Sequence, residues 1–325
     1  MAAEARSRYE LSRAGLAELL GDQPSYRVDQ VWRGLYERCC ELSELTDVPR
    51  PLRARLSSEP ALHRALSPVS TSSSDAGATV KWLWELADGV RVETVLMHYP
   101  GRSTVCVSTQ AGCAMACGFC ATGQAGFTRN LRTGEIVEQV ALAAREARAA
   151  GRRLSNVVFM GMGEPLANYE PVWSAVERLH GELGLSARHL TLSTVGLVPG
   201  IDRLAGERLP VNLAVSLHAA NDALRSCLVP INRRYPIGAL MEACGRYRAE
   251  RGRRLSFEWA LIDAVNDRPS DAAELAGLAR PLGAHVNLIP LNPTPGYPTV
   301  GSPRHRVVAF RDQLTRLGIN ATVRR

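Results

Sequence analysis

Gly112-Cys113-Ala114-Met115-Ala116-Cys117-Gly118-Phe119-Cys120-Ala121-Thr122-Gly123 is the stretch from which the rest of this chain can be read. Its cysteines follow the spacing C-x3-C-x2-C, and no fourth ligand lies nearby; the next histidine downstream is His180. Thiolates hold iron–sulfur clusters, usually four to a cluster. Three of them would leave one iron of a four-iron cluster open to a substrate. Structural zinc sites instead close with four ligands, generally as two separated pairs. A disulfide is disfavoured in a chain that reads as cytosolic. The cluster therefore ranks ahead of zinc, and a trio of merely buried thiols comes last.

Working outward, the composition is that of an ordinary globular protein: 325 residues, 46% hydrophobic and 22% charged. That length allows one large domain and a small one. The charged N-terminal start lacks the apolar core of a signal peptide, and no apolar run approaches a membrane span. The eight cysteines are Cys39, Cys40, Cys106, Cys113, Cys117, Cys120, Cys227 and Cys244, which at this size suggests metal or redox chemistry. The formal charge is +7, and Lys81 is the only lysine. Arginine suits phosphate and nucleobase contacts. Such a bias also follows from a GC-rich genome, so charge alone supports a nucleic-acid partner only weakly.

Residues 1–64 read as short helices, with Leu11, Leu16, Leu19 and Leu20, then Val28, Val31, Trp32, Leu35 and Tyr36, near helical spacing. Residues 67–79 read as a turn-rich connector, followed by two strands, 80–86 and 90–97, around an Ala87-Asp88-Gly89 turn. Strand–helix repeats then begin. Strands are expected at 104–108, 156–160, 189–193, 211–216, 255–262, 285–290 and 319–324. Helices are expected at 134–150 (capped by Thr133), 170–183, 199–205, 237–251, 270–282 and 303–317. Six βα units in a row imply an α/β fold with a parallel sheet, a closed or partly closed barrel, helices outside.

In such barrels the chemistry sits at the carboxyl ends of the strands. The cysteine loop follows the first barrel strand, Gly161-Met162-Gly163-Glu164-Pro165 the second, and Ser193-Thr194-Val195-Gly196 the third. Ser216-Leu217-His218 follows the fourth and Asn292-Pro293-Thr294-Pro295-Gly296 the sixth. Each has a bland reading: glycines for a tight turn, serines as caps, a satisfied buried histidine, a proline turn. Five motifs on one rim favour a shared site.

The stretches CVSTQAGCAMACGFCATGQAG, LSNVVFMGMGEPLANY, LTLSTVGLVPG, AVSLHAANDALR, LVPIN and HVNLIPLNPTPG closely resemble the radical S-adenosylmethionine (radical SAM) family of dual-specificity RNA adenine-C2 methyltransferases, the RlmN type. The likeness covers about residues 90–325. It implies a partial parallel (β/α)6 barrel over 99–325, a small helical RNA-binding accessory domain over 1–66, and a linker with a β-hairpin extension over 67–98. It implies that Cys113, Cys117 and Cys120 ligate a [4Fe–4S] cluster and that the open iron takes the amino and carboxylate groups of S-adenosylmethionine. Gly163 and Glu164 would hold the methionine amine, and Ser193, Ser216, Leu217, His218 and Asn292 would complete the pocket. Glu93 matches the family's proton acceptor. Cys106 matches the thiol that resolves a covalent RNA intermediate, although by position alone it could be a small core residue.

The same resemblance implies the chemistry. Adenine C2 is not nucleophilic, so the family methylates a second, C-terminal cysteine first, and a 5′-deoxyadenosyl radical then takes hydrogen from that methyl group. The carbon radical adds to C2, and deprotonation with disulfide formation releases the product. The partners implied are 23S rRNA and tRNA, with an electron donor such as flavodoxin or ferredoxin, for a cytoplasmic monomer. The family's tail carries an A-C-G-Q-L-like motif after the last strand, whereas this sequence ends at Val323-Arg324-Arg325. The polypeptide is read as cut short, and as written is expected to bind cluster and cofactor without completing methyl transfer.

Two alternatives come from elsewhere. One is the related branch that methylates adenine C8, slightly resembled by Arg234-Tyr235-Pro236-Ile237. The other is a non-catalytic RNA-binding protein with structural zinc. Candidate phosphate contacts are Arg129, Arg132, Arg152 and Arg153, and Arg246, Arg248, Arg251, Arg253 and Arg254; each run could equally be a solvated helix face. Because C2 lies inside a stacked helix, the target adenine must be extruded or sit in a loop.

Overall fold

The computed structural model describes residues 7–294 and 296–324. The first six residues of the N-terminal reading, and Pro295 of the 292–296 loop, lie outside the described residues. The chain divides into two compact units: Met1–Ala111, Arg129–Met162 and Glu170–Leu190 in one, Gly112–Thr128, Gly163–Tyr169 and Thr191–Arg325 in the other.

The first unit opens with the helices Arg13–Leu19, Tyr26–Tyr36 and Arg50–Ser58. Their buried leucines and aromatics (Leu16, Val31, Leu35, Tyr36, Leu52, Leu56) are the residues whose spacing suggested helices. The first two are tied down by Arg178, which donates to the carbonyls of Tyr9, Glu10 and Leu11 and to the Tyr36 hydroxyl, and by Trp32 Nε1, which donates to Glu182 at 2.6 Å. Strands β1 (Leu66–Ser74), β2 (Thr79–Leu86), β3 (Arg91–Tyr99) and β4 (Arg102–Cys106) then pair antiparallel in succession. The short strands β5 (Gln110–Gly112) and β6 (Phe127–Asn130) lead into and out of the cysteine loop. Strand β7 (Leu154–Phe159) pairs parallel with β4.

Two expectations are corrected here. The serine-rich connector is the edge strand β1, in register with β2 from Leu66 opposite Leu86 to Ser74 opposite Thr79. Only Leu66 of it is buried, so the backbone ladder alone holds it and no apolar alternation announces it. Thr133 does not cap the next helix. It is the first residue of Thr133–Ala149, and the Glu135 carboxylate takes the orphaned Arg132 N–H at 2.8 Å.

The second unit carries β8 (Leu190–Thr194), β9 (Asn212–Ser216), β10 (Leu255–Leu261), β11 (His285–Pro290) and β12 (Ala321–Val323), side by side in chain order and all parallel. Helices Val198–Gly206, Ile237–Arg251, Pro269–Leu282 and Arg304–Arg316 separate them, close to the ranges the periodicity gave. Leu213, Val215, Phe257, Trp259, Leu261, Val286 and Leu288 are buried on one face, and Trp259 meets Phe310 of the last helix at 6.0 Å. Each such side chain contributes about 1.5–3 kcal/mol. Among the described residues no helix is long and apolar enough to cross a membrane.

Candidate active site

The cysteine loop is closed at its base, where Cys113 N–H donates to Gly126 C=O at 2.7 Å. Gly112 makes that closure possible: its φ is +73°, and a Cβ there would stand 1.9 Å from the Gly126 oxygen. Inside the loop Cys120 N–H donates to Cys117 C=O at 3.1 Å, and Gln124 Nε2 donates to Gly118 C=O at 2.7 Å. Cys117 and Phe119 are buried with Ala219, Leu228, Val229, Ala260 and Ile262, and Met115, Cys120 and Tyr297 pack against them. Thr294 Oγ1 donates to Phe119 C=O at 3.3 Å, which brings the 292–296 loop onto the cysteine loop.

The donor set fits a cluster better than a single ion. Among the described residues no group of three or more His, Cys, Asp or Glu side chains converges to hold one metal ion. Zinc would draw every ligand to about 2.3 Å from one point, whereas a four-iron cluster gives each thiolate its own iron. Burial pushes the Cys117 thiol up to about 12, and the charges of Cys120, Cys113 and Glu164 push the same way. Burial also raises Cys113, while the Met115 N–H opposes by hydrogen-bonding to its sulfur. Two thiols that resist ionisation, Cys113 and Cys117, need a cationic centre to become thiolates.

The other predicted pocket residues belong to the same unit, with Ser193, Ser216, Leu217 and His218 at the carboxyl ends of β8 and β9. Glu164 is 2% exposed; its Oε1 accepts from Leu166 N–H at 3.1 Å and its Oε2 from Val195 N–H at 2.8 Å. Burial pushes this carboxyl up to about 7, against the pull of the Val195 and Leu166 amides and the Thr194 hydroxyl. Gly163 beside it has φ +98°. Ser193 and Ser216 are half-buried at the ends of β8 and β9. Leu217 is fully buried and presents backbone, its N–H donating to Glu258 C=O at 3.0 Å. His218 follows with φ +59°, a conformation a non-glycine residue adopts at a cost. Its Nδ1 accepts from Ala260 N–H at 3.0 Å, and its ring meets the Phe119 edge at 4.8 Å. Burial, then the Arg225 charge, holds this imidazole down at about 3, so it is neutral with its proton on Nε2. Asn292 is exposed. In the first unit, Gly161 has the packing role its bland reading allowed: a Cβ would lie 2.7 Å from the Val107 backbone.

Sequence reading missed two features here. One is the face of β8–β12 opposite the apolar one, which carries Ser193, Ser216, Ser256, Glu258, His285, Asn287 and Thr322. Asn287 Nδ2 donates to Glu258 Oε1 at 2.7 Å, and His285 Nε2 lies 2.9 Å from Thr322 Oγ1, while Glu258 Oε2 and His285 Nδ1 are buried without a partner. A filled barrel puts branched apolar layers there; this one keeps a polar interior. The other is Arg225, taken up below. Its helix, Asp222–Leu228, was not expected at all.

Glu93 and Cys106 belong to the first unit. Cys106 closes β4 opposite Val95 of β3, and Glu93 lies two residues along β3, on the same half-buried face and diagonal to the thiol. Lys81 Nζ donates to Glu93 Oε1 at 2.9 Å. The arginine runs proposed for phosphate are partly engaged: Arg129 pairs with Asp88 and Glu135, and Arg246 with Asp202.

A three-thiol loop beside a buried carboxylate, on the carboxyl ends of parallel strands, defines the radical SAM class, and the Radical SAM superfamily matches residues 107–276. A probable dual-specificity RNA methyltransferase RlmN of Chloroflexus aurantiacus is 52% identical, covering 99% of this chain and 90% of that protein. Dual-specificity RNA methyltransferase RlmN 1 of Myxococcus xanthus is 50% identical over 97% of this chain and 89% of its own. The crystal structure of a radical SAM methyltransferase from Sphaerobacter thermophilus superposes with a TM-score of 0.92 at 52% identity, covering 98% of this chain and 95% of that one. The chain belongs to the RlmN family of dual-specificity RNA methyltransferases within the radical SAM superfamily. Its cofactors are one [4Fe–4S] cluster and S-adenosylmethionine.

Proposed function

We propose that the enzyme methylates C2 of adenine in 23S rRNA and in tRNA through a methylated carrier cysteine of the family's C-terminal motif, which these 325 residues do not contain, and that the residues gathered above divide the rest of the work as follows. Cys113, Cys117 and Cys120 hold the cluster, which when bound supplies the electron that cleaves S-adenosylmethionine. Glu164, held by the Val195 and Leu166 amides, is the anion that meets the methionine amine. Gly163, Ser193, Ser216, the Leu217 backbone, neutral His218 and Asn292 line the remainder of the pocket. His218 Nε2–H is a donor with no charge to repel the sulfonium.

Glu93 takes the proton released when C2 is rearomatised, and Cys106 resolves the covalent RNA adduct through its thiol. Their diagonal placement on one sheet face supports both roles, since base and thiol act on the same nucleotide. Residues 1–66 serve as an accessory RNA-binding domain, and the reductant is a small protein such as flavodoxin or ferredoxin. The enzyme works as a cytoplasmic monomer.

The observation that carries this reading is one compact unit holding three thiols, Glu164 and His218 in a chain about half identical to RlmN proteins along nearly its full length. The test is reductive cleavage under anaerobic conditions. Reconstituted protein with dithionite should convert S-adenosylmethionine to 5′-deoxyadenosine and methionine, and C113A, C117A and C120A should each abolish this. Any methyladenosine recovered from RNA should be the 2-methyl isomer. Intact S-adenosylmethionine with a full cluster, or 8-methyladenosine as product, would overturn the proposal.

A further inference from the structure

Arg225 is wholly buried, and all its hydrogen bonds go to neutral oxygens. Nε donates to Leu217 C=O at 3.1 Å, Nη1 to Asn232 Oδ1 at 2.9 Å, and Nη2 to Val195 C=O at 2.6 Å and Ser216 C=O at 3.3 Å. The other buried arginine among the described residues, Arg8, has a carboxylate partner in Glu41 at 3.0 Å. A guanidinium taken out of water without an anion beside it is costly. The carboxylate whose charge reaches it, Asp222, is exposed to solvent and makes its hydrogen bond to Asn232 Nδ2, at 2.9 Å, rather than to the guanidinium.

The residues beside it on its own helix explain the charge. Leu224 and Leu228 flank Arg225 on Asp222–Leu228, and both pack into the cluster of side chains that holds Cys117 and Cys120. Burial lowers Arg225 to about 10, and the Cys117 charge opposes that fall. A [4Fe–4S] core bound by three thiolates is a net anion in either oxidation state, and each reduction makes it more so. We propose that Arg225 is the buried counter-cation of the cluster, raising its reduction potential while its fan of hydrogen bonds fixes the Val195 and Ser216–Leu217 turns of the cofactor pocket.

This inference rests on the cluster reading and is tested apart from it. At an effective dielectric of about 20, a unit charge about 10–12 Å away changes an electron affinity about tenfold. That corresponds to about 59 mV for a one-electron couple. The experiment is a redox titration of the reconstituted full-length chain, followed by the EPR signal of the reduced cluster. R225Q should lower the midpoint by about that amount at unchanged iron content. If R225Q does not hold a cluster, R225H provides the second measurement, with a midpoint lower by about 59 mV wherever its imidazole is neutral. A cluster-loaded R225Q or R225H with the wild-type midpoint at every pH overturns the inference. A wild-type protein that takes up no four-iron cluster fails the underlying cluster assignment instead.

Discussion

Replacing Glu164 by glutamine tests the pocket at its buried carboxylate. Burial places its pKa at about 7. Only the ionised form accepts fully from the methionine amine, so a proton competes with the ligand. The carboxylate is about nine-tenths ionised at pH 8 and about one-tenth at pH 6, so affinity for S-adenosylmethionine should fall roughly tenfold across that interval. In E164Q the charge-assisted hydrogen bond is lost at every pH, worth about 1.5–3 kcal/mol, or roughly 10- to 150-fold in Kd at pH 8. The pH dependence should flatten with it. The amide can also satisfy only one of the Val195 and Leu166 N–H groups, so some stability is lost as well, and thermal melts of the ligand-free protein separate the two effects. Equilibrium dialysis of reconstituted wild type and E164Q from pH 6 to 8 is the assay. Equal affinities, or a pH slope that survives in E164Q, would refute this assignment of Glu164.

G112A should leave a soluble protein that takes up no iron, because its Cβ would meet the Gly126 oxygen at 1.9 Å where the cysteine loop closes; iron content after reconstitution reads this directly. H218A orphans the buried Ala260 N–H and should cost about 1–3 kcal/mol in thermal unfolding. H218N should cost less, since asparagine tolerates the left-handed backbone and offers an acceptor. Glu138, held up at about 7 chiefly by burial, binds a proton in the folded state that it releases near 4.5 when unfolded. Its contribution to stability is therefore full below pH 4.5 and lost as pH rises through 7, and E138Q should remove up to about 3 kcal/mol of that decline in urea melts at pH 5 and pH 8.

The strand–helix alternation after residue 100 was legible because parallel strands with covered faces and amphipathic helices leave different periods in the sequence. His285–Pro290 and Ile237–Arg251 matched their expected ranges to the residue. What escaped lacked such a period. The edge strand Leu66–Ser74 is nearly all exposed serine and threonine and is defined only by its partner's backbone. Arg225 and Asn232 lie within the quoted motifs ALR and LVPIN, but nothing local says that the guanidinium is buried beneath two turns. The polar interior of β8–β12 was hidden differently: Ser256, Glu258, His285 and Asn287 alternate with Phe257, Trp259, Val286 and Leu288. That alternation reads as a half-solvated strand until the register shows all of them buried.

The most direct test of the site is the EPR spectrum of the anaerobically reconstituted, reduced protein, recorded before and after adding S-adenosylmethionine. About four irons per chain, with a reduced-cluster signal that the ligand perturbs, is the expected result, because the iron without a cysteine is where its amino and carboxylate groups bind. Stoichiometric zinc with no such signal, or a cluster signal indifferent to the ligand, would contradict it.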